Sequence, residues 1–234
     1  MALVVDYYLA PQSPWTYLGH DRLEAIAQAA GARINVRPVD LGKVFPVTGG
    51  LPLAKRAPQR QAYRLVELQR FSAHLGLPMN LHPAHFPVAV DSAARLIIAV
   101  GEHDGSAAAM ALTGALLRAV WVEECDIADA ATLAAKLAAC HLPARRLDDA
   151  KAPAVQARYD ADSQHAIEIG VFGAPSYVVD GEIFWGQDRL DFLQRRLTRG
   201  ESHTAGTTKP VHAPAFSFGP IVRPGPISAG TQLR

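Results

Sequence analysis

The feature that most constrains the fold is an apolar run near the start of the chain that leads directly into a helix-start signal. Residues 3–9 are rich in β-formers, and Ser13-Pro14 then opens a helical pattern, which predicts a strand, a short turn and a helix N-terminus. Ser13 and Thr16 have the spacing of a Cys-x-x-Cys redox site, yet both carry hydroxyls. Any thiol chemistry at this helix start must therefore come from a ligand, because these two residues cannot form a disulfide.

The segment after this helix start completes a β-α-β unit over residues 3–39. An apolar helical stripe follows Pro14 and ends at Gly31, a residue type that is common just beyond a helix C-terminus. A second run of β-formers begins at Ile34 and stops near Pro38. Strand, helix and strand in this order favour a parallel pair of strands with a right-handed crossover.

The middle of the chain, residues 41–169, contains no convincing strand. Its helical patterns lie at residues 63–71, 93–100, 107–122, 130–140 and 154–169. Strands return at residues 176–179 and 182–185, and Asp180-Gly181 between them is a strong hairpin signal. Asp188 is the predicted N-cap of a last helix over residues 188–197.

These elements predict an α/β fold, a thioredoxin-like βαβ…ββα domain with a large all-helical insertion. We expect residues 1–40 and 170–199 to form the two halves of that domain, and residues 41–169 to form a helical insertion subdomain. Residues 200–234 are rich in Gly, Pro, Ser and Thr, so they are either a partly ordered arm or a disordered tail.

Composition excludes several classes of function. The net charge is +1 with no block of like charges, which indicates no surface for nucleic acid or an anionic membrane. Cys125 and Cys140 lie in alanine-rich helical patterns and are expected to be idle thiols. His82 and His85 lack a further ligand pattern, so we expect no metal. The start lacks a secretory-signal pattern and no segment is long enough to span a membrane, which favours a cytoplasmic enzyme.

Three segments together resemble the 2-hydroxychromene-2-carboxylate isomerase family. Residues 7–18 (YYLAPQSPWTYL) are similar to the N-terminal signature of that family, and residues 170–176 (GVFGAPS) to its cis-proline loop. Residues 184–190 (FWGQDRL) are similar to the segment that holds the γ-glutamyl end of glutathione. These enzymes are grouped with the kappa-class glutathione transferases and the bacterial periplasmic dithiol oxidases, and the resemblance extends from about residue 3 to residue 199.

The resemblance implies that glutathione is the cofactor and that Ser13 is both catalytic and glutathione-binding. Its hydroxyl would donate to the thiolate of glutathione at a helix N-terminus, where free N–H groups and the helix dipole favour an anion. The resemblance also implies a cis bond at Ala174-Pro175, with the Ala174 backbone pairing with glutathione as an added strand. Backbone N–H groups at Gln187 and Asp188 would bind the glutamyl carboxylate, and the Asp188 side chain would pair with the glutamyl ammonium. The structural alternatives are a plain N-cap at Ser13, an ordinary strand-entry proline and a simple cap at Asp188.

The chain departs from the family pattern at Gly50 and Ala89, where the family commonly has asparagines that contact glutathione or substrate. A family lysine aligns with Arg60, which is expected to bind glutathione, and Lys55 nearby is a candidate for a substrate carboxylate. The alternative for both residues is a solvated helix face.

Two aromatic residues, Trp15 and Tyr8, flank Ser13 in the sequence. One of them is expected to stack on an aromatic substrate, with core packing as the alternative.

The leading hypothesis is a glutathione-dependent cis-trans isomerase acting on 2-hydroxychromene-2-carboxylate or a related aromatic-degradation intermediate. The reaction would proceed by reversible addition of the glutathione thiolate to a small aromatic carboxylate substrate. The resemblance also implies a homodimer. The alternatives are a kappa-like glutathione transferase, which would consume glutathione, and a non-catalytic thioredoxin-like binding protein.

Overall fold

A single mixed sheet organises residues 3–199, which are the residues that the computed structural model describes. The predicted arm or tail at 200–234 lies outside the described residues. The strands are β1 (Val4–Leu9), β2 (Arg33–Pro38), β3 (Ser176–Val179) and β4 (Glu182–Trp185). Their order is β2-β1-β3-β4; β2 is parallel to β1, whereas β3 is antiparallel to both β1 and β4. The thioredoxin-like βαβ and ββα halves are therefore confirmed.

Helices occupy the chain between β2 and β3, as the sequence predicts. Those between β2 and β3 are α2 (Leu41–Thr48), α3 (Pro58–Leu75), α4 (Asp91–Asp104), α5 (Ser106–Trp121), α6 (Ala130–Ala139), α7 (Arg146–Asp149) and α8 (Pro153–Glu168). Helix α1 (Pro14–Ala29) lies between β1 and β2, and α9 (Leu190–Arg199) follows β4. Helix α2 was not predicted from the sequence, because Pro46 inside it removes a backbone donor and interrupts the helical pattern. The single turn of α7 was not predicted either, because four residues are too short to show a helical period. Within the described residues, none of the helices is both long and apolar enough to cross a membrane. The boundaries of the predicted insertion subdomain stay a prediction.

The start of α1 forms as the Ser-Pro pair predicts. Ser13 has extended backbone angles, φ −74° and ψ 124°, and its side chain accepts a hydrogen bond from the Thr16 amide. Pro14 occupies the first helical position, where the missing N–H has no intrahelical partner to lose. The Ser13 amide donates to the Ala10 carbonyl at 2.9 Å, so the turn between β1 and α1 is held at both ends.

Alternation along β1 sends Tyr7 and Tyr8 to opposite faces of the sheet. Tyr7 stacks on Tyr177 with ring centroids 5.5 Å apart and lies against His20 of α1. Tyr8 lies on the other face, where its hydroxyl is 2.7 Å from His165 Nδ1 of α8. Both tyrosines are fully buried, so each face of the sheet has its own packed layer of helices.

A close approach between α1 and the segment after β4 depends on Gly19. A Cβ atom at this position would lie 2.7 Å from Tyr177 Oη and 2.9 Å from Gln187 Cβ, distances that ordinary packing does not allow. The absence of a side chain at Gly19 therefore lets α1 pack directly on the 3-10 turn Gln187–Arg189. This contact fixes the turn that contains Asp188 relative to the helix that begins beside Ser13.

The prediction that Asp188 caps the last helix is wrong. Asp188 lies inside the 3-10 turn, and α9 begins after it at Leu190. Gly186 has a φ of +101°, and a Cβ atom there would lie 2.5 Å from Asp188 Oδ1. This glycine bends the chain sharply after β4, so the chain completes a 3-10 turn before α9 begins.

Candidate active site

Ser13 faces the loop that precedes β3. Its Oγ lies 3.2 Å from the Thr16 amide, which donates to it, and 3.4 Å from the Ala174 carbonyl oxygen, to which it donates. Only 8% of Ser13 is exposed, so the hydroxyl lies at the floor of the site rather than on an open surface. A long hydrogen bond of 3.4 Å is weak, and the hydroxyl proton can turn to a stronger acceptor such as a thiolate.

The N-terminus of α1 provides one further donor beside Ser13. Pro14 has no N–H, and the Thr16 amide is already bonded to Ser13 Oγ. The Tyr17 amide donates to the Ser13 carbonyl at 3.0 Å and closes the first helical turn. The amide of Trp15 at the second helical position therefore remains for an anion, together with the positive end of the helix dipole.

The loop opposite Ser13 contains a cis peptide bond between Ala174 and Pro175. Hydrogen bonds hold it on both sides, since Ser176 Oγ donates to the Gly173 carbonyl at 2.7 Å and the Gly186 amide donates to the Pro175 carbonyl at 2.9 Å. Ala174 itself is half-buried, so part of it stays accessible beside Ser13. The loop thus brings Ser13, Ala174 and Pro175 together. A second cis bond, Phe86-Pro87, lies in the segment before α4, where the sequence analysis did not expect one.

The two residues expected at the glutamyl end of glutathione have different environments. Gln187 is 1% exposed, and Arg22 Nη1 donates both to its side-chain Oε1 at 3.0 Å and to its carbonyl oxygen at 3.2 Å. Its side-chain oxygen is therefore engaged by Arg22, whereas its Nε2 is buried without a hydrogen-bond partner among the described residues. The expected role of the backbone N–H groups here stays a prediction. Asp188 is exposed, and its carboxylate lies 2.6 Å from Arg189 Nη1. Its remaining oxygen can accept from an ammonium group.

Of the two aromatic candidates, the structure leaves an accessible surface on Trp15 alone. Tyr8 has no exposed surface and packs on the α8 side of the sheet, so the prediction that it stacks on a substrate is not supported. Trp15 is half-buried and meets Phe71 edge-on with ring centroids 6.1 Å apart.

The structure also shows what replaces the asparagine expected near Gly50. A Cβ atom at Gly50 would lie 2.2 Å from Cδ1 of Phe45, so the Phe45 ring fills the space of a larger side chain. Ala89 is exposed, and so are Lys55 and Arg60. The structure shows no contact that links Lys55, Arg60 or Ala89 to Ser13, and their roles stay predictions.

Arg64 is a partly buried charged residue that sequence reasoning missed. Its Cζ lies 5.2 Å from the Phe86 ring centroid and 5.8 Å from the Trp121 ring centroid. Burial, followed by the charge of Arg56, lowers the pKa of Arg64 to about 10. The sequence offered no signal for the burial of Arg64, because an arginine in a helix that also contains Arg60 and Arg70 is typical of a solvated helix face.

Residues 4–198 match the family model of DSBA-like thioredoxin domains. The chain is 30% identical over 199 residues to a 2-hydroxychromene-2-carboxylate isomerase of Sphingobium xenophagum, across 84% of this chain and 99% of the relative. It is 29% identical over 200 residues to an isomerase of the same name from Pseudomonas putida, across 84% and 95% of the two chains. A solved structure of a 2-hydroxychromene-2-carboxylate isomerase is similar with a TM-score of 0.71 and 28% identity, across 84% of this chain and 95% of that chain.

Proposed function

The chain belongs to the 2-hydroxychromene-2-carboxylate isomerase family within the DSBA-like thioredoxin domains and is an isomerase, and from this we propose that it uses glutathione as a catalytic thiol. The proposed reaction is the cis-trans isomerisation of 2-hydroxychromene-2-carboxylate or a closely related aromatic-degradation intermediate. Glutathione would be regenerated in each cycle rather than consumed.

The observation that supports this proposal is the position of Ser13. A hydroxyl stands at the N-terminus of α1 beside a cis-proline loop, and neither Ser13 nor Thr16 carries a thiol of its own. A free thiol has a pKa of about 8.5, so only about 3% is thiolate at neutral pH. A helix N-terminus and a hydroxyl donor both favour the anionic form, so the site is suited to activating a thiol that a ligand brings.

The residues present fit glutathione at three places. The Ser13 hydroxyl and the Trp15 amide can hold the sulfur as an anion, and the Ala174 backbone can pair with an extended peptide. The exposed carboxylate of Asp188 can bind the ammonium of the glutamyl group. These contacts would orient the ligand between the start of α1 and the loop before β3.

In the proposed reaction the ligand provides the nucleophile, and the residues of the chain bind it and stabilise its charge. Glutathione bound here would supply a nucleophilic thiolate for reversible addition to the conjugated substrate, which is the chemistry that cis-trans isomerisation needs. Ser13 donates a hydrogen bond to the sulfur and keeps it ionised, and the Trp15 amide and the helix dipole stabilise the same charge. Trp15, which keeps an accessible surface, is available to contact an aromatic substrate.

The test is turnover of 2-hydroxychromene-2-carboxylate with glutathione, with S-methylglutathione and with neither. We expect isomerisation with glutathione alone, because S-methylglutathione keeps the peptide but cannot form a thiolate. Equal rates in all three conditions would exclude the role of glutathione. Consumption of glutathione in proportion to product would instead identify a kappa-like transferase, and no binding of either peptide by calorimetry would point to a non-catalytic binding protein.

A further inference from the structure

Arg64 contributes a guanidinium to a cavity of about 340 Å³ between α3 and the segment that precedes α4. Its walls combine apolar side chains, among them Leu53, Leu65, Leu81 and Phe86, with the polar side chains of Gln61 and His82. The Phe86 and Trp121 rings, whose centroids are 4.9 Å apart, pack against the guanidinium. A volume of this size is typical of a small-molecule site that combines apolar walls with a few polar groups.

The charge of Arg64 has no acidic counterpart among the described residues. The charged group that acts most on Arg64 is Arg56, another cation, and burial together with this charge lowers the pKa of Arg64 to about 10. Arg56 is held in place, because its Nε donates to the Leu51 carbonyl at 2.8 Å and its own carbonyl accepts from Gln61 Nε2 at 2.8 Å. Arg64 remains charged at neutral pH, so the cavity has a positive end that a bound anion would complete.

This cavity is connected to the Ser13 site through one short segment of chain. Phe86 lies against Arg64, and two residues later the Val88 amide donates to Gln12 Oε1 at 2.9 Å. Gln12 directly precedes Ser13. The segment that contains Phe86 is therefore hydrogen-bonded to the turn that precedes Ser13.

We propose that this cavity binds the carboxylate of a small aromatic acid, with Arg64 as its anchor and the apolar walls in contact with its ring. The inference rests on the proposed function, in which such an acid is the substrate. The planar guanidinium can bind a carboxylate through two parallel hydrogen bonds, which a lysine ammonium cannot do. An aromatic acid matches the cavity better than a purely polar anion, because six of the nine lining residues have hydrocarbon side chains.

The first experiment uses benzoate as the probe, with benzamide as its uncharged counterpart, and measures binding to the full chain by ligand-observed NMR and calorimetry. We expect benzoate to bind at least about tenfold more tightly than benzamide, since a charge-assisted hydrogen bond contributes more than a neutral one. Arg64→Met should abolish this preference, and Arg64→Lys should restore part of it. Arg70→Met is the matched control, because Arg70 is exposed on the same helix and already pairs with Glu67 at 2.8 Å.

The outcomes separate this inference from the proposed function. Benzoate binding that survives Arg64→Met, in a variant with unchanged thermal stability, would overturn the inference. Loss of S-methylglutathione binding in Arg64→Met, with benzoate unaffected, would also overturn it by assigning Arg64 to a glutathione carboxylate. Arg64-dependent benzoate binding without turnover of 2-hydroxychromene-2-carboxylate would support the site while refuting the proposed substrate. The carboxylate site and the proposed function would both be supported if Arg64→Met raised the KM for 2-hydroxychromene-2-carboxylate about tenfold or more and left the KM for glutathione unchanged.

Discussion

Replacing Ser13 with alanine removes two interactions that have different consequences, in addition to the weak 3.4 Å hydrogen bond to the Ala174 carbonyl. The first is the N-cap hydrogen bond from the Thr16 amide at 3.2 Å, whose loss lowers the free energy of unfolding by about 1 kcal/mol. The second is the proposed hydrogen bond to the glutathione sulfur, which as a charged hydrogen bond is worth about 1.5–3 kcal/mol. That range corresponds to a loss of roughly 10- to 150-fold in kcat/KM. It also corresponds to a rise of about 1–2 units in the pKa of the bound thiol.

Glycine and threonine at position 13 separate these two effects. Glycine lacks the hydroxyl but costs a helix start only a few tenths of a kcal/mol, whereas threonine keeps both the hydroxyl and the cap. We therefore expect Ser13→Ala and Ser13→Gly to lose activity equally while differing in stability, and Ser13→Thr to keep most of both.

The assay combines chemical denaturation with the pH dependence of kcat/KM and the ultraviolet absorbance of the bound thiolate. Because Ser13 is proposed to lower the pKa of the bound thiol, the activity of wild type should reach a plateau at lower pH than that of Ser13→Ala. Activity that simply follows stability across the three variants would refute the reasoning and leave Ser13 as a plain N-cap.

Three further perturbations test other parts of the structure. Gly19→Ala places a Cβ 2.7 Å from Tyr177 Oη, so we expect about 1–3 kcal/mol of destabilisation and a higher KM for glutathione; wild-type values for both would show that the contact can relax. Asp188→Asn should weaken S-methylglutathione binding by about tenfold in calorimetry, while Asp191→Asn, which removes only the exposed pair with Arg22, should not. Burial lowers the pKa of His20 from 6.5, so the unfolded chain binds the extra proton first and the free energy of unfolding should fall as the pH drops through about 6.5. Denaturation curves at several pH values should show this decrease in wild type and a smaller one in His20→Gln.

The parts of the fold that the sequence predicted are those set by local pattern. The β-rich run before Ser13-Pro14, the helical stripe after it and the Asp180-Gly181 hairpin each carry their signal within a few residues. Tyr8 is a residue whose role the local pattern could not predict. Alternation establishes that Tyr7 and Tyr8 face opposite ways, but which of them meets a ligand depends on α8, whose His165 is distant in the sequence.

The candidate site was predictable mainly through resemblance rather than through local physics. Only a small fraction of X-Pro bonds are cis, so the residues around Pro175 could not establish the cis bond that the structure shows. Asp188 resembled an N-cap because its residue type suits one, and only the positive φ at Gly186 shows that a 3-10 turn comes first. Arg64 differs from a solvated arginine because Phe86 and Trp121 converge on it from separate elements.

The hydrogen bond between Ser13 Oγ and the Ala174 carbonyl joins residues that are 161 positions apart. During synthesis the ribosome therefore releases β1 and α1 long before the strand that β1 needs on its other edge. The intervening helices can fold on local contacts, but β1 has an unpaired edge until β3 emerges. Unpaired strand edges are sites at which chains misassemble or aggregate. The candidate site is consequently complete only after β3 has been synthesised and has paired with β1. The yield of active enzyme should therefore depend on whether the unpaired edge of β1 avoids intermolecular strand pairing until then.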